Sequence, residues 1–177
     1  MGRAACLFAV LLFIGNYAPM WAHDKTPESP KKAPDGVYAV LRESLQEKDV
    51  LPLKDGEVLI VNRHRYLKRA DHEPPRFLVV RAAQDVALDL AGEPKAVKDG
   101  DEVVRIFLKL QPKAATALER LTSDRLGKQV AIVLGGEVVT MHKVRGVIKG
   151  GEVQISNCAV GAANYLLEQL KAHQENK

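Results

Sequence analysis

Three groups of residues in this 177-residue chain are of types that do chemistry. Cys158 and His142 are a thiol and an imidazole that would pair as nucleophile and base if adjacent strands brought them together, although no third group to orient the base is evident. His64, Asp71, His72 and Glu73 offer nitrogen and oxygen donors, but without the i, i+4 or short paired spacing of a preformed metal site, so no metal is expected. The glycine pairs Gly135-Gly136 and Gly150-Gly151 fit neither G-x-G-x-x-G nor the Walker pattern; they read as hairpin turns that need positive φ. Ser123 and Ser156 lie in no Gly-x-Ser-x-Gly, and neither has a Lys three residues on. The expectation is a binding module without catalytic residues or cofactor.

Two basic clusters bear on what it binds. Arg63, Arg65, Lys68 and Arg69 surround Tyr66 and Leu67 and suit an anionic surface, such as lipid head groups or an envelope polymer; a solvated face is the plainer alternative. His142, Lys143 and Arg145 form a smaller spot that suits an acidic partner or is ordinary surface charge. The formal charge of +4 is too modest to imply nucleic acid. With 46% hydrophobic residues and only 5% aromatics, the core must rest on Val, Leu, Ile and Ala.

The N-terminus reads as an address. Arg3 precedes an apolar run from Ala4 to Tyr17, and Met20-Trp21-Ala22 offers a cut after Ala22, so residues 1–22 are expected to be a signal peptide or an uncleaved anchor. Either version places the folded part outside the cytoplasm, periplasmic or extracellular. Removal of the signal takes Cys6 and leaves Cys158 alone, a buried small hydrophobe more often than a redox site. Residues 23–36, with Pro27, Pro30 and Pro34, read as an extended linker.

The elements that must position these groups follow from periodicity. Val37, Val40, Leu41 and Leu45 predict a short amphipathic helix with Asp35 as N-cap. Lys54-Asp55-Gly56 predicts a turn, and residues 57–61, 77–80 and 86–90 predict strands; residues 91–101 read as a polar connector. Val104, Ile106, Leu108 and Leu110 alternate with polar residues and Phe107, as in a half-buried strand. Ala114, Ala117, Leu118 and Leu121 share a helical face that ends near Gly127. Strands at 130–134, 138–144 and 153–155 and a helix carrying Ala162, Leu166 and Leu170 complete a β-α-β-β-β-α unit. The fold class is α+β: an antiparallel sheet with helices on one face, the unit at 96–173 joined to an N-terminal part at 37–95.

The succession LERLTSDRLGKQVAIVLGGEVVTMHKVRGVIKGGEVQIS, residues 118–156, followed by a helix, resembles the head of the first periplasmic domain of the SecD subunit of the protein-export machinery. Leu121-Thr122, Gly127-Lys128, Ala131-Ile132-Val133-Leu134, Gly136, Gly150-Gly151 and Ile155-Ser156 match that family's motifs. Gly135 stands where it favours Asp, and Met141-His142 where it favours Ala-Pro. The resemblance implies contact with extended polypeptide or an envelope protein partner, and not proton-driven transport, whose membrane helices this chain lacks. Candidate partner-binding residues are Phe107, Val139, Met141, His142, Lys143 and Arg145. If helices cover the face of Val104, Ile106 and Leu108, Phe107 points the other way. Either residues 37–90 cover it, the commoner fate of an aromatic sheet face, or it stays open beside strand edges that accept a chain.

Overall fold

The computed structural model describes residues 32–68 and 73–175. The address segment, most of the linker, and Arg69, Asp71 and His72 lie outside them.

The chain runs β1 (Gly36–Ala39), β2 (Arg42–Ser44), β3 (Glu57–Asn62), β4 (Arg76–Arg81), β5 (Val86–Ala87), β6 (Lys95–Lys98), β7 (Val103–Lys109), α1 (Pro112–Asp124), β8 (Gln129–Leu134), β9 (Glu137–Lys143), β10 (Glu152–Ala159) and α2 (Val160–Glu175). The α+β class holds, and the β-α-β-β-β-α order from β7 to α2 is present. The strands form three antiparallel sheets, ordered β5-β1-β8-β9, β10-β7-β6 and β2-β4-β3.

The four-stranded sheet is buried on both faces, which explains the unbroken apolar run of β8. Ile132 and Leu134 join a core that gathers Ile106 and Leu108 of β7, Val153 and Ile155 of β10, and Leu118, Leu166 and Leu170 of the helices. Ala131 and Val133 face a second core with Leu78 and Val80 of β4 and Ile60 of β3.

This double burial overturns the helix predicted from Val37. Val37 and Ala39 enter the first core while Tyr38 and Val40 enter the second, so all four are buried, with the period of two that belongs to a strand. The three-and-four spacing was accidental, because it skipped two residues that are equally buried. Asp35 caps no helix: it accepts the Gly135 N–H at 2.7 Å and lies 3.0 Å from Nδ1 of His173. The Tyr38 hydroxyl donates to the Pro34 carbonyl, and burial, aided by Asp35 and Asp85, pushes its pKa up to about 12.

The second glycine pair also departs from expectation. Gly135-Gly136, at φ of +62° and +78°, closes the β8–β9 hairpin, but Gly150-Gly151 does not join paired strands. After it, β10 crosses to a different sheet and pairs with β7. A Cβ on Gly151 would stand 2.5 Å from Cβ of Ala115, so this glycine lets the chain pass close against α1.

Helix α1 starts at Pro112, whose missing N–H costs nothing there, and buries Ala114, Leu118 and Leu121 at spacings of four and three. Thr122 is fully buried in the same face. Its hydroxyl donates to the Leu118 carbonyl and accepts the Ile148 N–H at 3.0 Å, tying α1 to the loop before β10. Gly127, at φ +75°, follows where a C-terminal stop was expected. In α2 the buried stripe is Ala163, Leu166 and Leu170, with Ala162 only partly covered.

Candidate binding surfaces

Cys158 and His142 are not on adjacent strands, since β9 and β10 belong to different sheets. Cys158 faces Val104 of β7 on one side and Leu67 on the other, with no exposed surface, and burial pushes its thiol up to about 11. The His142 ring instead lies 2.9 Å from the Thr140 hydroxyl. The supposed pair is two unrelated residues. The metal candidates do not come together as a described site either: His64 is buried 3.6 Å from Glu73, and among the described residues no group of three or more His, Cys, Asp or Glu converges.

His142, Lys143 and Arg145 do share a place. They rim an open cleft of about 650 Å³ whose walls include Leu118, Val130, Ile132 and Val153. Met141 is half-buried against the second core, and Val139 is buried in the first, displaced there by a bulge between Ile132 and Val133. Val139 therefore contributes to packing and offers no contact surface.

Phe107 is 38% exposed, so the N-terminal half does not cover it. It stands on the outer face of the β10-β7-β6 sheet, opposite Lys95 on one neighbour and Gln154 on the other. Val97 of β6 is 47% exposed, and a shallow depression of about 330 Å³ runs beside Phe107 between Glu93, Lys95 and Lys109. All four residues of β6 are exposed, and it is the last strand of its sheet. The carbonyls of Val103 and Lys109 accept N–H groups from the β6 side, so the odd-numbered residues of β7 bond β6. By antiparallel alternation, Lys95 and Val97 face β7, while the backbone groups of Ala96 and Lys98 point outward.

This edge strand falls in the stretch read as a polar connector. Lys-Ala-Val-Lys is too short and too exposed to show a period, yet Asp99-Gly100, at φ +86° on the glycine, is a hairpin signal between β6 and β7.

The described residues of the basic stretch have different partners. Lys68 pairs with Glu102, Arg69 lies outside the described residues, and Arg65 Nη1 lies 3.0 Å from Glu137 on the β8–β9 hairpin. Arg63 and Arg65 turn towards Tyr66, Tyr165 and Lys32 around the first glycine pair.

The architecture thus defines the class: a small α+β module whose helices pack on antiparallel sheets and whose outer sheet, among the described residues, keeps an open edge. Residues 70–173, more than half of the chain, match the model of the SecDF P1 head subdomain, and the chain belongs to that family. The match begins upstream of residue 96 and takes in β4 to β6. Among solved structures, the membrane component SecDF that enhances protein export is 32% identical over 46% of this chain and 36% of its own, with a TM-score of 0.40. SecDF in its super-membrane-facing form is 30% identical over 46% of this chain and 11% of its own, also at 0.40. The chain thus spans well under two thirds of either protein. No curated protein sequence matches it. Among the described residues no helix is long and apolar enough to cross a membrane.

Proposed function

We propose that this chain is an extracytoplasmic, non-enzymatic module that binds extended polypeptide by strand addition to β6. The family membership supports a role beside protein export, the activity attached to the SecDF structure it resembles. The Met1 to Ala22 segment supports delivery outside the cytoplasm. The observation that carries the reading is the outward edge of Ala96 and Lys98 next to the exposed side chains of Phe107 and Val97. Backbone hydrogen bonds at such an edge take any sequence, and an apolar anchor beside it adds affinity without demanding one. Lys95 and Lys98 hinder edge-to-edge pairing of two copies, the usual hazard of an open strand.

The test exploits the geometry. Proline at Ala96 removes an outward N–H without touching the bonds to β7, so the sheet should survive. In Ala96→Pro/Phe107→Ser, affinity for a dye-labelled, permanently unfolded polypeptide is expected to fall about tenfold, with an unchanged circular dichroism spectrum. Binding by the parent should respond little to salt. Undiminished binding by the folded double variant would sink the proposal.

A further inference from the structure

The glycine hairpin that closes β8 and β9 borders an open pocket of about 630 Å³ of unusual polarity. Among the described residues its cations are Lys32, Arg63 and Arg65, and its one carboxylate is Glu137. Both oxygens of that carboxylate are engaged, one with Arg65 at 3.0 Å and the other with the Tyr66 hydroxyl at 2.7 Å. Among the described residues neither Arg63 nor Lys32 has a carboxylate within ion-pair distance. The described lining residues therefore carry an excess of two positive charges, three cations against one carboxylate.

Its shape is built around Gly136. A Cβ there would lie 3.0 to 3.3 Å from three carbons of the Lys32 stem, so the missing side chain is the slot along which Lys32 lies. Tyr165, also in the lining, stacks on Tyr66 with centroids 6.1 Å apart and planes at 10°, and remains 47% exposed. Tyr66 is held in turn by Glu137, so the aromatic wall and the basic wall share one anchor.

We infer that this pocket binds a phosphate ester, with Arg63, Lys32 and the free side of Arg65 on the phosphate and Tyr165 against the organic part. Guanidinium forks match the oxygens of a phosphate, and two uncompensated cations match its double charge better than the single charge of a carboxylate. The volume exceeds what a bare phosphate fills. A free ester in solution and a lipid head group both present this chemistry. The site shares no lining residue with the Ala96 and Phe107 edge, so its fate is independent of the strand-addition reading.

Calorimetry with glycerol 3-phosphate, and co-sedimentation with vesicles of phosphatidic acid, a lipid phosphate monoester, in phosphatidylcholine against phosphatidylcholine alone, test both sources. Binding of either probe that falls about tenfold in Lys32→Gln/Arg63→Gln, and weakens steeply above ~0.15 M salt, supports the site. Soluble ester binding points to a free ligand, and vesicle binding without it points to a lipid head group. Lys68→Gln, a basic change outside the pocket, should leave both intact. The inference is overturned if neither probe binds, if the double variant binds as well as the parent, or if Lys68→Gln weakens binding equally.

Discussion

Cys158 shows how one residue's chemistry is set by what surrounds it. With no exposed surface and its pKa pushed up to about 11, the thiol stays protonated near neutrality, and the thiolate is the reactive form. In a Cys6→Ser background, a thiol reagent at pH 8 should leave the folded chain unlabelled and react at once after unfolding in guanidinium. Labelling of the folded chain at the unfolded rate would contradict the burial. The sign of the pH effect follows. The folded value lies above the unfolded one, ~8.5, so the contribution is intact below that pH and is lost as pH rises beyond it. Thr122 makes the complementary point: the threonine of the Leu121-Thr122 motif contacts no partner surface, and its hydroxyl instead accepts the Ile148 N–H inside the fold.

At the scale of elements, the turns decide which strands meet. Gly135-Gly136 makes a hairpin, whereas Gly150-Gly151 sends β10 away from β9 to β7 and leaves a cleft rimmed by His142, Lys143 and Arg145. Gly151→Ala adds a methyl group 2.5 Å from Ala115 at a backbone φ of +72°, so strain and overpacking act together. Urea unfolding should show a loss of about 2–4 kcal/mol. Gly56→Ala keeps the positive φ but meets no atom within 4 Å, so it should cost only the backbone part, about 1–2 kcal/mol. Equal losses at the two sites would show that the approach to α1 is not what Gly151 is for.

At the scale of the molecule, Asp35 joins three distant parts. One oxygen holds the Gly135 N–H of the first hairpin and the other lies beside His173 near the end of α2, while Gly36 next to it begins β1. Asp35→Ala should cost about 0.5–1.5 kcal/mol in thermal or urea unfolding, because it removes the acceptor of the Gly135 N–H and the partner of the partly buried His173 ring. A change within error would mean that the apolar cores alone hold these parts in register. The sequence by itself determined the α+β class, the family, both helices, the first glycine hairpin and the inward face of β7, because these depend on local periodicity, turn chemistry and short ordered motifs. Tertiary structure decided the rest. Val37 to Val40 became a strand because two cores meet there, and Arg63 to Arg69 was divided because Glu102 and Glu137 arrive from elsewhere in the chain. β6 took its place because an exposed edge needs no apolar period, only a neighbour to bond. Burial on two faces, ion pairing and edge position are relations between segments far apart in the chain, which no local pattern of residues records.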